Sequence, residues 1–247
     1  GFESFAQQYA DSITLGVGQF CTNPGIIVGV EGKALNDFIG LLGEKISAIA
    51  AGKMLHPGIA KAYKEKSQHV LNQPNVTLVS TLLEQQDEIV GQPKVAKVDA
   101  EIFLSNPLLA EEVFGPFSLV ITCKDIQQMT TVADALQGQL TSTLIATENE
   151  LAENKNLIEL IASKCGRLIL NGVPTGVEVC LSMQHGGPFP ATTDSRFTSV
   201  GADAIKRFAR PISFQNFNDS LLPIELKNCN PLEIWRTVND QLTKDPI

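Results

Sequence analysis

The feature that most constrains the fold is an alternation of short β-branched runs with amphipathic stretches, clearest in the middle of the chain. Residues 117–122 read as a strand. Asp125 is placed to cap a helix carrying Ile126, Met129, Ala133 and Leu136 on one face. Residues 142–146 read as a second strand, a helix with Leu157, Ile158 and Ile161 follows, and Arg167-Leu168-Ile169-Leu170-Asn171 closes the series. Earlier, residues 4–15 keep apolar Phe5, Tyr9 and Ile13 near helical spacing before Gly16. Ile26-Ile27-Val28-Gly29-Val30 is a strand run, and Leu35, Phe38, Ile39, Leu42, Ile46 and Ile49 mark the next helix. Pro57 suits a helix start, with that helix running to about His69, and residues 76–80 are a further strand candidate. Strands and helices alternating at these lengths require right-handed crossovers, so the expected fold is α/β. It is a largely parallel twisted sheet with helices on both faces.

At 247 residues and 43% hydrophobic, the chain can bury one substantial core with a smaller appendage. We expect one domain over 1–208 and an arm with a tail over 209–247. Residues 85–94 are polar with a glycine and a proline, an excursion rather than a linker. After Asn171 comes a long Gly- and Pro-rich loop, of a length that is usually functional. Arg210-Pro211-Ile212-Ser213-Phe214-Gln215-Asn216-Phe217 then alternates in the manner of an edge strand. The start at Gly1 rather than Met points to a piece of something longer.

Charge and cysteine usage exclude several classes. With 19 Lys and Arg against 27 Asp and Glu, the formal net charge is -8, which disfavours nucleic acid and anionic membranes as partners. Five widely spaced cysteines, never in C-x-x-C, argue against a disulfide framework or a metal site and for a reducing cytoplasm. No apolar run reaches the roughly 18 residues that span a bilayer, and the first residues lack a signal-peptide pattern.

The segment Gly18-Gln19-Phe20-Cys21-Thr22-Asn23-Pro24-Gly25 sets one thiol among small, turn-forming residues. A thiolate there can add to an aldehyde carbon; loss of hydride from the thiohemiacetal leaves a thioester that water cleaves to the acid. The plainer reading is a free cysteine acting as a small hydrophobe.

Together with Glu111-Glu112-Val113-Phe114-Gly115-Pro116 downstream, the Gln-x-Cys segment resembles the aldehyde dehydrogenase superfamily, where both motifs occur in this order. The stretch Met183-Gln184-His185-Gly186-Gly187-Pro188-Phe189-Pro190-Ala191-Thr192-Thr193-Asp194-Ser195-Arg196-Phe197 is similar to one branch of it. That branch holds 2-oxoglutarate semialdehyde dehydrogenase and bacterial fatty aldehyde dehydrogenases. The resemblance covers nearly the whole chain but only the carboxyl-terminal half of such an enzyme. It implies Cys21 as nucleophile, with its own backbone N–H as one oxyanion donor. Phe20, Thr22, Asn171 and His185 would stand by the substrate, His185 tuning the thiolate or a proton transfer. Glu112 would accept hydrogen bonds from the nicotinamide ribose, and Phe114 would pack beside the nicotinamide of NAD or NADP. It also implies pairing of residues 210–217 with another subunit, hence a homo-oligomer. For a short aldehyde bearing a carboxylate, Arg196 is the candidate basic residue.

Each assignment has a structural alternative: Glu111 and Glu112 as solvated turn acids, Phe114 as core, Asn171 as a strand-closing turn, Arg196 in an ordinary ion pair. No G-x-G-x-x-G or G-x-x-x-x-G-K-[ST] appears, so the dinucleotide-binding domain is expected to be absent, the NAD(P) site incomplete and the chain alone inactive. Two other functions remain open at this stage. One is a non-catalytic assembly module using residues 210–217. The other is a cysteine acyl hydrolase, for which no acid that would orient His185 is identifiable.

Overall fold

A computed structural model describes residues 2–81, 89–176 and 178–247. The chain runs α1 (Phe2–Thr14), β1 (Ile26–Val30), α2 (Lys33–Ser47), β2 (Gly52–Lys53), α3 (Pro57–Leu71), β3 (Thr77–Leu78) and β4 (Val90–Gly91). It continues with β5 (Lys94–Asp99), α4 (Ala100–Ser105), β6 (Phe117–Cys123), α5 (Ile126–Ala135), β7 (Gln139–Leu144), α6 (Glu148–Glu153), α7 (Lys155–Lys164) and β8 (Cys165–Leu170). The main sheet has the order β1-β6-β5-β3, parallel except for β3. A separate parallel pair joins β7 and β8, and β2 pairs antiparallel with β4.

Alternation along the two central strands explains why helices cover both faces. Val95 and Val120 point to one side, where they pack with Tyr9, Ala10 and Ile13 of α1 and Ile39, Leu42 and Ile46 of α2. Ala96, Val98, Leu119 and Ile121 point to the other, against Ala60, Tyr63 and Val70 of α3, Phe103 of α4 and Val132 of α5. Capping matches the expected boundaries: Pro57 opens α3, and the Asp125 carboxylate accepts from the Gln128 N–H at 2.7 Å.

Three expectations need correction or completion. No element was expected over 94–99, yet β5 lies at the centre of the sheet. Lys94, Lys97 and Asp99 interrupt its apolar pattern, but Lys94 is buried and donates to the Ser67 hydroxyl at 2.7 Å, 5.1 Å from the Tyr63 ring centroid. Burial and the neighbouring Lys64 push its pKa down. The polar excursion at 85–94 lies partly outside the described residues; its end supplies β4 and the first residue of β5. Residues 210–217 form no strand, because alternation confers only the ability to pair and no ladder partner exists for them among the described residues.

The chain divides into two units, Gly1–Arg207 and Phe208–Ile247. The second contains a short hairpin, β9 (Arg236–Val238) with β10 (Gln241–Thr243). Polar bonds to the backbone organise it. Asn230 donates to the Ile234 and Lys244 carbonyls, and Arg236 to those of Lys227 and Asn228, while Trp235 is 63% exposed. Among the described residues no helix is long and apolar enough to cross a membrane.

Candidate active site

The approach to Cys21 is a left-handed turn. After α1, Gly16, Val17 and Gly18 take φ of 55°, 58° and 65°. Such angles are costly for a β-branched valine and persist only where packing imposes them; Val17 packs against the core beneath α3. Gly18 is pressed so closely on the Gly115-Pro116 backbone that a Cβ there would overlap it. The Asn23 amide donates to the Gly18 carbonyl at 3.0 Å and the Gly115 carbonyl at 2.6 Å, and so fastens the two segments together. Between these anchors, the Asn23 N–H to Phe20 carbonyl bond at 3.2 Å closes a turn with Cys21 and Thr22 at its tip. Thr22 points inward and is buried, whereas Cys21 and Phe20 face outward. The Cys21 N–H has no acceptor among the described residues.

Opposite the thiol stands His185, its Nε2 3.3 Å from Cys21 Sγ. Its backbone is clamped: its N–H donates to the buried Thr198 hydroxyl at 2.9 Å, and its carbonyl accepts from both the N–H and the hydroxyl of Ser199, each at 2.9 Å. Partial burial, and then the Arg167 guanidinium, hold the imidazole pKa below its usual value, so it is neutral at pH 7. A neutral imidazole within hydrogen-bond reach of a thiol can take its proton.

The Glu111-Glu112-Val113-Phe114 segment leads into the same Gly115-Pro116 turn that holds the cysteine loop. Gly115 adopts φ 145°, and a Cβ on it would overlap the Tyr63 ring. The Tyr63 hydroxyl donates to the Pro116 carbonyl at 3.2 Å, and Lys66 Nζ to the Glu112 carbonyl at 3.1 Å. The Glu112 carboxylate is exposed and has no partner among the described residues, and Phe114 is half-buried. An unengaged carboxylate beside a partly open aromatic face suits a ribose and the edge of a nicotinamide ring. These two residues therefore fit that end of NAD(P).

Two expected site residues are engaged elsewhere. Asn171, at φ 52°, exchanges two hydrogen bonds of 3.0 Å with the Ala146 backbone and closes the β8 end as a turn residue. Arg196 binds Asp194 with both arms, at 2.9 and 2.6 Å, and holds that carboxyl at a pKa of about 2. The structure thus joins Cys21 to His185 and ties the Cys21 loop to the Glu112–Phe114 segment, while the hydrogen bonds of Asn171 and Arg196 go to Ala146 and Asp194 rather than to the thiol. Asn23 and Arg167 were missed. Asn23 was legible as a turn former two residues from the thiol, whereas nothing local marks Arg167.

A model of the aldehyde dehydrogenase family matches residues 2–199. Alpha-ketoglutaric semialdehyde dehydrogenase 2 of Azospirillum brasilense is 42% identical over 234 residues, which make up 95% of this chain and 45% of that protein. Alpha-ketoglutaric semialdehyde dehydrogenase of Acinetobacter baylyi is 43% identical over 246 residues, 98% of this chain and 46% of that protein. The chain therefore spans about half the length of the curated relatives it matches. Among solved structures, 3,6-anhydro-L-galactose dehydrogenase superposes with a TM-score of 0.65 at 18% identity, over 84% of this chain and 43% of the other, a likeness of fold.

Proposed function

We propose, for a chain that belongs to the aldehyde dehydrogenase family, that it is the catalytic half of an NAD(P)-dependent enzyme that oxidises an aldehyde to a carboxylic acid through Cys21. The 3.3 Å approach of His185 Nε2 to Cys21 Sγ carries this reading. Cys21 adds to the aldehyde carbon as its thiol proton passes to the neutral imidazole. The negative oxygen formed meets the free N–H of Cys21, a preorganised donor. NAD(P), when bound, accepts the two electrons that convert this adduct to a thioester, and water then releases the acid. Glu112 would hold the nicotinamide ribose and Phe114 would stand beside the ring. Phe20 and Thr22, on either side of the thiol, shape its surroundings.

The names of the two bacterial relatives favour a short semialdehyde bearing a carboxylate, similar to 2-oxoglutarate semialdehyde, as substrate. NAD and NADP both fit what Glu112 and Phe114 offer. The adenosine and phosphate contacts fall outside this half, so the chain alone binds NAD(P) weakly and does not turn over. Residues 210–217, free of ladder bonds, are suited to pair with a second copy of the chain, and five unpaired thiols suit a reducing compartment such as the cytoplasm.

The test is a chimera in which the upstream residues of the Azospirillum relative precede Gly1. Aldehyde-dependent reduction of NAD(P) is expected from it and should vanish in Cys21→Ala. Undiminished activity in that variant would refute the proposal, and turnover by residues 1–247 alone would refute the claim of incompleteness.

A further inference from the structure

Arg167, near the Cys21–His185 pair, is a guanidinium with no counterion among the described residues. No ion pair among the described residues includes it, and its Nε is buried with no hydrogen-bond partner. A single arm is engaged, NH2 donating to the Pro174 carbonyl at 2.8 Å. Burying a charged donor unpaired is costly, and an anionic ligand is one way to complete such a group. Backbone packing fixes where it stands. Arg167 follows Gly166 on β8, and Gly166 lies so close to the Gly186 carbonyl that a Cβ would overlap it, which sets this strand beside the segment that presents His185. The acceptor carbonyl at Pro174 belongs to a turn held to α1, the helix leading to Cys21, by a Thr175–Ser12 hydroxyl contact and by Val173 in the α1–α2 core. The field of Arg167 reaches the imidazole and adds to burial, the larger cause, in lowering its pKa.

We infer that Arg167, not Arg196, receives the carboxylate of the substrate and selects anionic aldehydes. The inference rests on Cys21 being the nucleophile. Arg196 is disqualified by its bidentate hold on Asp194, whereas Arg167 keeps its NH1 arm without a partner among the described residues. An arginine in this state matches a carboxylate in charge, and its unengaged NH1 can donate to a carboxylate oxygen.

Two alkylating agents that differ only in charge separate this role from others in the 1–247 chain as it stands. Iodoacetate carries a carboxylate and iodoacetamide does not, and modification of Cys21 by each can be followed by peptide mass spectrometry. The iodoacetate to iodoacetamide rate ratio at Cys21 is expected to fall roughly fivefold or more in Arg167→Gln, as removal of one nearby charge requires. It should be kept in Arg167→Lys and unchanged in Arg196→Gln. In the unsubstituted chain, glutarate should slow Cys21 alkylation while glutaramide does not. An unchanged ratio in Arg167→Gln, or equal protection by the two additives, overturns the inference while leaving Cys21 as nucleophile. An effect of Arg167 acting only through His185 would move both rates together and would overturn it as well. Failure of the underlying reading looks different: Cys21 then reacts no faster than Cys229 with either reagent, and the inference falls with it.

Discussion

Cys21 and His185 meet across 3.3 Å, but they stand on parts of the molecule built very differently. The cysteine loop is anchored to the end of β6, a strand buried along nearly its whole length between two helical layers. His185 lies in a loop against β8, one strand of an isolated pair in which Leu168 and Leu170 remain exposed. One side of the site is thus held by core packing and interlocked glycines, the other by a few hydrogen bonds on a half-open sheet. The Cys21 thiol is fixed by the fold, while the imidazole facing it rests where stability is locally lower.

Substitutions that attack the tightly packed side should have the largest effects. Gly18→Ala and Gly115→Ala each force a Cβ into atoms that cannot move cheaply, at positive φ, and should cost about 3 kcal/mol or more in chemical unfolding. Asn23→Ala removes both bonds that tie the loops together and should cost about 1–3 kcal/mol. Urea melts showing either class of variant to be neutral would mean that the cysteine loop is not held as described.

The comparison is sharpest between two apolar truncations. Ile121→Ala, in β6 with the side chain fully buried, is expected to cost about 2–5 kcal/mol. Leu170→Ala, in β8 at 53% exposure, should cost less than about 1 kcal/mol. Equal costs would erase the distinction between the two sheets.

The smallest effect concerns pH. Because His185 has a lowered pKa when folded, the unfolded chain binds its proton first as pH falls through about 6.5. Stability contributed by the neutral imidazole is present above that pH and is lost progressively below it, toward the folded pKa. His185→Gln should flatten this part of the stability–pH curve slightly, and an unaltered slope in chemical melts between pH 7 and 5 would count against the assigned environment.

Local chemistry made much of this fold legible, and long-range chemistry hid the rest. Five β-branched or flexible residues marked β1 to its boundaries, and Asp125 announced α5, since both signals depend on near neighbours. β5 escaped because Lys94 reads as a surface residue; only the Ser67 hydroxyl and Tyr63 ring from α3 make its burial tolerable. Residues 210–217 alternate as a strand does, but a strand also needs a partner. At the site, the turn that carries Cys21 was readable from its small neighbours, whereas the expectation of a nucleophile there came from the family resemblance. The pairing with His185 spans 164 positions and is created by the sheet. Arg196 had two readings, a carboxylate anchor and an ordinary ion pair, and the structure contains the pair, with Asp194 two residues away. Arg167 went unnoticed because an orphaned guanidinium is visible only in three dimensions.

The central claim, a Cys21 thiol activated by His185, is tested most directly by iodoacetamide alkylation rates at each exposed cysteine, in the unsubstituted chain and in His185→Gln. Cys21 is expected to react faster than Cys229 and to lose most of that advantage when the imidazole is removed. Equal rates at the two cysteines, or a Cys21 rate indifferent to His185→Gln, would contradict the account.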